Sequence, residues 1–396
     1  QQNLSLALRQ LRDHGPQSRA RLAEVTRLNK ATVSSLVTEL VARGLVVEGD
    51  RERGEVGRPA QVVRLSGAEV CGMGAEVNVG YVSAAALDLD RTVLVQRRRA
   101  LSGSRATPEE ALDSLAELVR AAADDVAPRT IAGLSVAVPG LVEVATGTLL
   151  HAPNLGWSGL PLGELVRERV GDLDLDLHVE NEANLAAMAE ASTRPGVDNL
   201  VLLTGSIGVG AGIVVAGQLL RGASGFGGEV GHMPVELQGG LCGCGRRGCW
   251  ETRVGMSALL NGLAEIDDPI LDPALDTEAR LAEVVRRAEA GGARTLNALE
   301  QVGTWLGVGA AVLANVLDPQ VFILGGYFAP VAPWLMGPMR RELDRRSIGA
   351  TGQGYALEVS ALGVHATVRG AAVVALEPVF DDPTTVPRKT LDQVGA

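Results

Sequence analysis

The sequence predicts an α/β body carrying a small helical head. Three observations predict it. Beyond residue 67, short apolar runs bounded by Gly and Pro alternate with amphipathic stretches, as strands alternating with helices do. Before residue 67, three amphipathic stretches precede two β-branched runs. Charge separates the same parts: residues 1–65 hold 11 Lys and Arg against 7 Asp and Glu, and the remainder 25 against 40. A basic head on an acidic body suggests one end that faces nucleic acid. The 396 residues suffice for two or three domains, and 46% hydrophobic with 21% charged residues is ordinary for a globular chain. No run of 18 apolar residues implies a membrane span, and no leader pattern is visible at Gln1.

In the head, Leu4, Leu8 and Leu11 share one helical face, and Gly15-Pro16 stops that helix. Ser18 suits the N-cap of a second helix with Leu22 and Val25 inward. Asn29 suits the cap of a third, Lys30 to Arg43, where Val33, Leu36, Val37 and Leu40 form the buried stripe. Two short helices joined by a tight turn make a helix-turn-helix, whose second member enters the major groove. Its small hydroxyl side chains and one Lys let it sit deep, so Lys30, Thr32, Ser34 and Ser35 are the expected DNA contacts. Strands at Leu45–Glu48 and Gln61–Leu65 then flank the polar segment GDRERGEVGRP, a β-hairpin wing. Its Arg51, Arg53 and Arg58 can reach the backbone or the minor groove.

The body opens with hairpin-like strands from Val70, then a helix from Pro108 to Ala127. A strand and Pro-Gly turn follow in IAGLSVAVPGLVEV, a strand and helix in LDLHVENEANLAAMAEA, two strands around a Gly-rich turn in NLVLLTGSIGVGAGIVV, and a helix and strand ending at Gly325-Gly326. The tail from Asp381 has few apolar anchors and is expected to be partly loose.

Between Gly228 and Glu251 lie His232, Cys242, Cys244 and Cys249, which include three of the four cysteines. One imidazole and three thiolates complete a tetrahedral Zn2+ set with no open position, so the site reads as structural. Gly243, Gly245 and Gly248 allow the tight turns that wrap a chain around an ion. A thiolate site of this kind suits a reducing cytoplasm.

The pattern G-E-x-G-H followed by C-x-C-G-x-x-G-C-x-E resembles the ROK family of repressors, open reading frames and sugar kinases, and the order of elements follows that family from about residue 70 to the C-terminus. The head resembles the winged heads of ROK repressors. The resemblance implies a two-lobed actin/hexokinase-like (ribonuclease H-like) body. Residues 1–66 would be the winged helix-turn-helix, 67–194 the first lobe completed by a helix near 365–380, and 195–396 the second lobe with the zinc loop and tail. It implies a sugar pocket of Asn154, Glu182, Glu229, His232 and Glu251, with the zinc as a brace behind His232.

Family sugar kinases begin with D-x-G-G-T; here the stretch is Glu76-Val77-Asn78-Val79-Gly80, with a longer acid, a β-branched residue where backbone must approach phosphate, and no threonine. Their general base is the Asp of an N-D pair; here the pair is Asn181-Glu182, whose carboxylate sits about 1.5 Å off the in-line position. Gly-rich turns at Thr204–Gly208 and Gly325-Gly326 remain, as fold-making turns do. The expected function is therefore a sugar-responsive repressor with no catalytic residue. It would act as a homodimer, or a tetramer, on a pseudo-palindromic double-stranded operator, with a monosaccharide as effector. The alternatives are an ATP-dependent sugar kinase with a DNA-binding module, and a regulator that senses the metal itself.

Overall fold

A computed structural model describes residues 1–52, 60–101, 106–205, 208–272, 275, 277–352 and 354–388. The head begins with α1 (Gln2–His14), a two-residue strand β1 (Gln17–Ser18), α2 (Arg19–Thr26) and α3 (Lys30–Ala42). Ser18 caps α2 by accepting from the Arg21 N–H, and Asn29 caps α3 by accepting from the Thr32 N–H. Leu8, Leu22, Val37 and Leu40 are wholly buried, with Val33 beside them; Leu36 and Val25 are only half-buried. Strands β2 (Val46–Glu52) and β3 (Ala60–Leu65) make the hairpin, and β1 adds to its far side in the order β1-β3-β2. The side chains of Arg51, Arg53 and Arg58 fall outside the described residues.

The next part of the chain builds a five-stranded sheet. A meander of β4 (Val70–Asn78), β5 (Tyr81–Asp88) and β6 (Val93–Ala100) leads into α4 (Pro108–Val126). The helix starts on a capping box, with Thr107 and Glu110 each satisfying the other's backbone N–H. β7 (Thr130–Val138) returns parallel to β4. Short strands β8 (Leu141–Glu143), β9 (Thr148–Ala152) and β10 (Trp157–Leu160) form a separate antiparallel sheet before α5 (Leu162–Val170). β11 (Leu177–Asn181) lies parallel to β7, giving the order β11-β7-β4-β5-β6, and the chain leaves through α6 (Glu182–Ser192).

A second sheet follows. β12 (Leu200–Gly205), β13 (Val209–Val215) and β14 (Gln218–Leu219) form its meander. Helices α7 (Glu251–Val254), α8 (Met256–Leu263), α9 (Thr277–Glu289) and α10 (Ala293–Leu317) precede β15 (Val321–Gly326), α11 (Phe328–Arg346) and β16 (Ala356–Val359). The order is β14-β13-β12-β15-β16. α10 and α11 pack through glycine: a Cβ on Gly303 or Gly307 would lie 2.7 and 2.5 Å from carbonyl oxygens of α11. α12 (Ala366–Ala375) and α13 (Glu377–Asp381) are the last α-helices among the described residues.

Contacts divide the chain into two compact units, Gln1–Leu185 with Thr367 onward, and Ala186–Ala366. In the first unit, Gly72 and Gly74 of β4 admit the backbone of α12, where an added Cβ would stand 2.2 Å from the Ala372 carbonyl oxygen and 2.1 Å from that of Val368. Of the tail expected to be partly loose, residues 381–388 are bound to the head, and residues 389–396 lie outside the described residues. Leu376, Val379, Phe380 and Val386 are buried among Leu4, Leu8, Leu11 and Val37. The sequence hid this because only Val386 of these anchors lies beyond Asp381, and one apolar residue makes no periodic run. No helix among the described residues is long and apolar enough to cross a membrane.

Candidate metal centre and ligand site

The second unit holds the Cys/His loop. His232 ends a short 3-10 turn, Val230–His232, seated under β13, where a Cβ on Gly231 would fall 2.2 Å from the Val209 carbonyl oxygen. The chain then folds back on itself through bridges Pro234–Cys249 and Leu241–Arg247. Gly245 and Gly248 take φ of 82° and 73°, and a Cβ on Gly248 would collide with the Glu236 carbonyl, so that position requires glycine. Gly243, expected to share the role, takes no left-handed conformation. Trp250 anchors the loop: wholly buried, its ring lies on Gly309 and its indole N–H donates to the Trp305 carbonyl at 2.7 Å. Arg253 adds a two-point ion pair to Glu236, at 2.6 and 2.8 Å.

This folding brings the ligating atoms of His232, Cys242, Cys244 and Cys249 within 4.8 Å of one another. Cys244 Sγ lies 3.6 Å from Cys249 Sγ, and Cys242 Sγ lies 3.7 Å from His232 Nδ1. A tetrahedron with metal–sulfur bonds of about 2.3 Å has edges of about 3.8 Å, so these separations fit one ion. They exclude disulfides, whose sulfurs touch at about 2.0 Å; all four cysteines are free thiols. Burial pushes the Cys244 thiol up, but the Arg246 backbone N–H and hydrogen bonds from Cys242 and Cys249 outweigh it and bring it down to about 7. Burial pushes Cys242 up, its hydrogen bond to Glu251 adding to the rise. A bound cation would reverse that rise, because a coordinating thiol is deprotonated.

Two carboxylates flank the imidazole. Glu251 Oε1 accepts from Cys242 Sγ at 2.8 Å and lies 3.8 Å from His232 Nδ1; Glu229 Oε2 lies 3.9 Å from Nε2 on the opposite edge of the ring. One ring nitrogen thus faces the thiols and the other an exposed acid. The structure brings Glu229, His232 and Glu251 together in the second unit.

Asn154 and Glu182 belong to the first unit. Asn154 is half-buried in the turn between β9 and β10. Glu182 opens α6, and Asn181 fixes it: the Asn181 amide donates to the Glu182 carboxylate at 2.9 Å and to the Gly140 carbonyl at 3.0 Å, while its oxygen accepts from the Ala183 N–H. Beneath it, Glu180 is wholly buried and accepts from Asn184.

A constellation that sequence reading missed surrounds Glu76. Its carboxylate, 1% exposed, accepts from Asn78 Nδ2 at 2.9 Å, Tyr81 Oη at 2.7 Å and Ser83 Oγ at 3.1 Å. Arg98 stacks on the Tyr81 ring at 3.9 Å. Burial raises the Glu76 carboxyl, the three hydrogen bonds opposing it. The acid is turned inward and satisfied by its own hairpin. The alternation E-x-N-x-x-Y-x-S, which puts these residues at one end of one hairpin, was the available signal.

In the head, Lys30, Ser34 and Ser35 are exposed and Thr32 is half-buried on α3. Ser34 Oγ already accepts from Arg19 at 2.7 Å, and Arg19 is tied in turn to Glu48 of β2.

Comparisons with known proteins agree with this architecture. The ROK family profile matches residues 73–377 and the MarR family profile residues 5–56. The chain is 30% identical over 383 residues to the xylose repressor of Bacillus subtilis (strain 168), covering 96% of each chain. It is 32% identical to a glucokinase of Streptomyces coelicolor, but over 69% of this chain and 88% of that one. The crystal structure of a ROK family transcriptional regulator, a homolog of the E. coli MLC protein, matches 96% of both chains with a TM-score of 0.76 and 25% identity. With a winged head of the MarR type and a body matched over residues 73–377, the chain belongs to the ROK family.

Proposed function

We propose that the chain is a sugar-responsive transcriptional regulator, a repressor of carbohydrate-metabolism genes. The observation that carries this reading is the joining of two features in one chain. An α3 with exposed Lys30, Ser34 and Ser35 stands in a winged head, and His232 stands between Glu229 and Glu251 against a cluster of three cysteines. The full-length similarity to a xylose repressor supports it. Residues 1–66 are the DNA-binding domain, residues 67–194 with the helix near 365–380 form the first lobe, and the second lobe follows. Asn154, Glu182, Glu229, His232 and Glu251 accept and donate hydrogen bonds to the sugar's hydroxyls, and a polar ring closed around a ligand rejects partners that leave its members unpaired. Zn2+ held by His232, Cys242, Cys244 and Cys249 braces that ring and takes no part in chemistry. Lys30, Thr32, Ser34, Ser35, Arg51, Arg53 and Arg58 contact DNA. A homodimer in the cytoplasm presents two heads to a pseudo-palindromic operator with half-sites about one or two helical turns apart. Sugar and operator shift each other's affinity by the same factor.

Thermal-shift screening against pentoses, hexoses, and phosphorylated and N-acetylated sugars, followed by operator binding with each hit, tests this. A sugar that raises the melting temperature and changes operator affinity is expected; no sugar doing both would sink the reading. The likeness to glucokinase favours a second reading, an ATP-dependent sugar kinase. Against it stand the inward-facing Glu76 and the Glu at 182. Sugar-dependent ADP release at about 1 s⁻¹ or faster would establish that alternative.

A further inference from the structure

The head's apolar core is completed by residues more than 300 positions away. Leu376, Val379, Phe380 and Val386, all 6% exposed or less, pack with Leu4, Leu8, Leu11, Val33, Val37 and Leu40. Polar contacts frame them. Ser5 Oγ donates to the Phe380 carbonyl at 2.7 Å, and Arg12 spans Glu377, at 2.8 Å, and the Phe380 ring. At the C-terminal end of α3, Arg43 donates to the Thr384 carbonyl at 3.0 Å and also to that of Val386. Its neighbour one turn back, Glu39, accepts from Arg43 at 2.8 Å and from both edges of the Arg388 guanidinium, at 2.5 and 3.0 Å.

The same segment leads back to a candidate ligand residue. α12 enters the first unit at Thr367, whose hydroxyl donates to the Glu182 carbonyl at 3.5 Å. Ala371 is buried against Leu185 and Ala137, and the helix backbone presses on Gly72 and Gly74 of β4. A packed helix held this closely moves as one piece. From Glu182 to α3 the contacts are continuous: Thr367, α12, the Leu376–Phe380 wedge, then Arg43 and Glu39.

We propose that residues 376–388 form a latch that sets the pose of the DNA-reading helix α3, and that α12 carries the state of Glu182 to that latch. This rests on the reading of the chain as a sugar-responsive regulator. A ligand that pulls on Glu182 shifts α12 along the sheet, and α3 follows because its last turn is tied to the tail at two residues.

Full-length Arg43→Met keeps the apolar stem and removes the donors; Val386→Asp puts a charge into the shared core. Operator affinity is measured with and without D-xylose, with D-glucose as a second probe. Sugar affinity is measured without DNA, and hydrogen exchange is followed at the α3 amides. Both variants are expected to bind operator about tenfold or more weakly. The ratio of affinities with and without sugar should approach one, and sugar affinity without DNA should stay within about twofold of native. If Val386→Asp unfolds the head, Arg43→Met decides. Native affinity with a native sugar ratio in Arg43→Met overturns the latch, and weaker binding with a native ratio overturns its role in transmission. If neither sugar moves operator affinity in the native protein, the regulator reading loses its effector and the α12 relay is overturned with it. The latch is then judged by α3 exchange, which should quicken about tenfold in Arg43→Met and overturns the proposal if unchanged.

Discussion

The two five-stranded sheets share a strand order and differ in what they carry. Numbered within each sheet, both run 3-2-1-4-5: an antiparallel meander followed by two parallel strands on the far side of its first strand. In the first unit the β4–β5 hairpin closes over a buried carboxylate, Glu76, gripped by Asn78, Tyr81 and Ser83. In the second, the β12–β13 hairpin is packed by absence of side chains: a Cβ on Gly205 would lie 2.3 Å from the Tyr327 ring, and one on Gly326 would lie 2.1 Å from the Gly205 carbonyl oxygen. Beyond the meander, the first unit continues into a plain amphipathic helix, α4, and the second into the Cys/His loop. One backbone plan thus supports two chemistries, because the sheet needs only buried apolar strands and the sites reside in turns and loops.

Removing the second unit's brace should have the largest effect. Cys244→Ser, or chelation, is expected to lower the melting temperature by about 10 °C or more and to abolish sugar binding, since metal binding is folding free energy in such loops. Metal analysis should return one zinc per chain. A variant as stable as the native protein, still binding sugar, would show the loop to be incidental.

Next come two acids proposed as sugar acceptors, Glu182 and Glu229. Glu182→Ala and Glu229→Ala should each weaken sugar binding about a hundredfold by calorimetry, the cost of leaving hydroxyls without a charged acceptor. A loss confined to one of them would place the ligand in that residue's unit alone.

Glu76→Ala should cost about 1–3 kcal/mol in denaturant unfolding, because Asn78, Tyr81 and Ser83 lose their common acceptor. It should leave sugar affinity unchanged. Unaltered stability would mean that the hairpin does not depend on its internal acid.

The smallest effect is on pH dependence, and the buried Glu76 should differ in sign from the Arg-paired Asp268 and Glu283. In the second unit, hydrogen bonds from Arg287 bring Asp268 down to about 2, and those from Arg286 and Arg287 bring Glu283 to about 2. Depressed carboxylates stabilise above their unfolded values near 4, and that stabilisation is lost as pH falls toward 2. In the first, Glu76 is raised by burial, so its contribution is fullest below its unfolded value and diminishes as pH rises. Arg287→Ala should flatten the acid limb of the melting curve, and Glu76→Gln the limb above pH 4. Equal slopes in either variant and the native protein would break the contrast.

Much of this was legible in the sequence. Ser18 and Asn29 announced their caps, the leucine and valine spacing announced α1 and α3, and four Cys and His residues in eighteen positions announced a ligand set. Local physics governs each: a cap bonds a backbone N–H three residues on, and a metal loop closes within one turn-rich segment. What stayed hidden was non-local. The grip on Glu76 depends on a hairpin register pairing Glu76 with Ser83 and Asn78 with Tyr81. Gly72 and Gly74 read as small strand residues until α12 is laid against them. Val386 and Arg388 read as loose tail until α3 is beside them.

The sequence by itself determined the elements, the head's helical pattern and the donor set of the metal loop, because those depend on neighbours a few residues apart. Tertiary structure alone decided that Glu76 faces inward and that residues 376–386 finish the core of the head. The first depends on hairpin register and the second on which distant surfaces meet, and a periodic pattern states only that a face is apolar, not what will cover it.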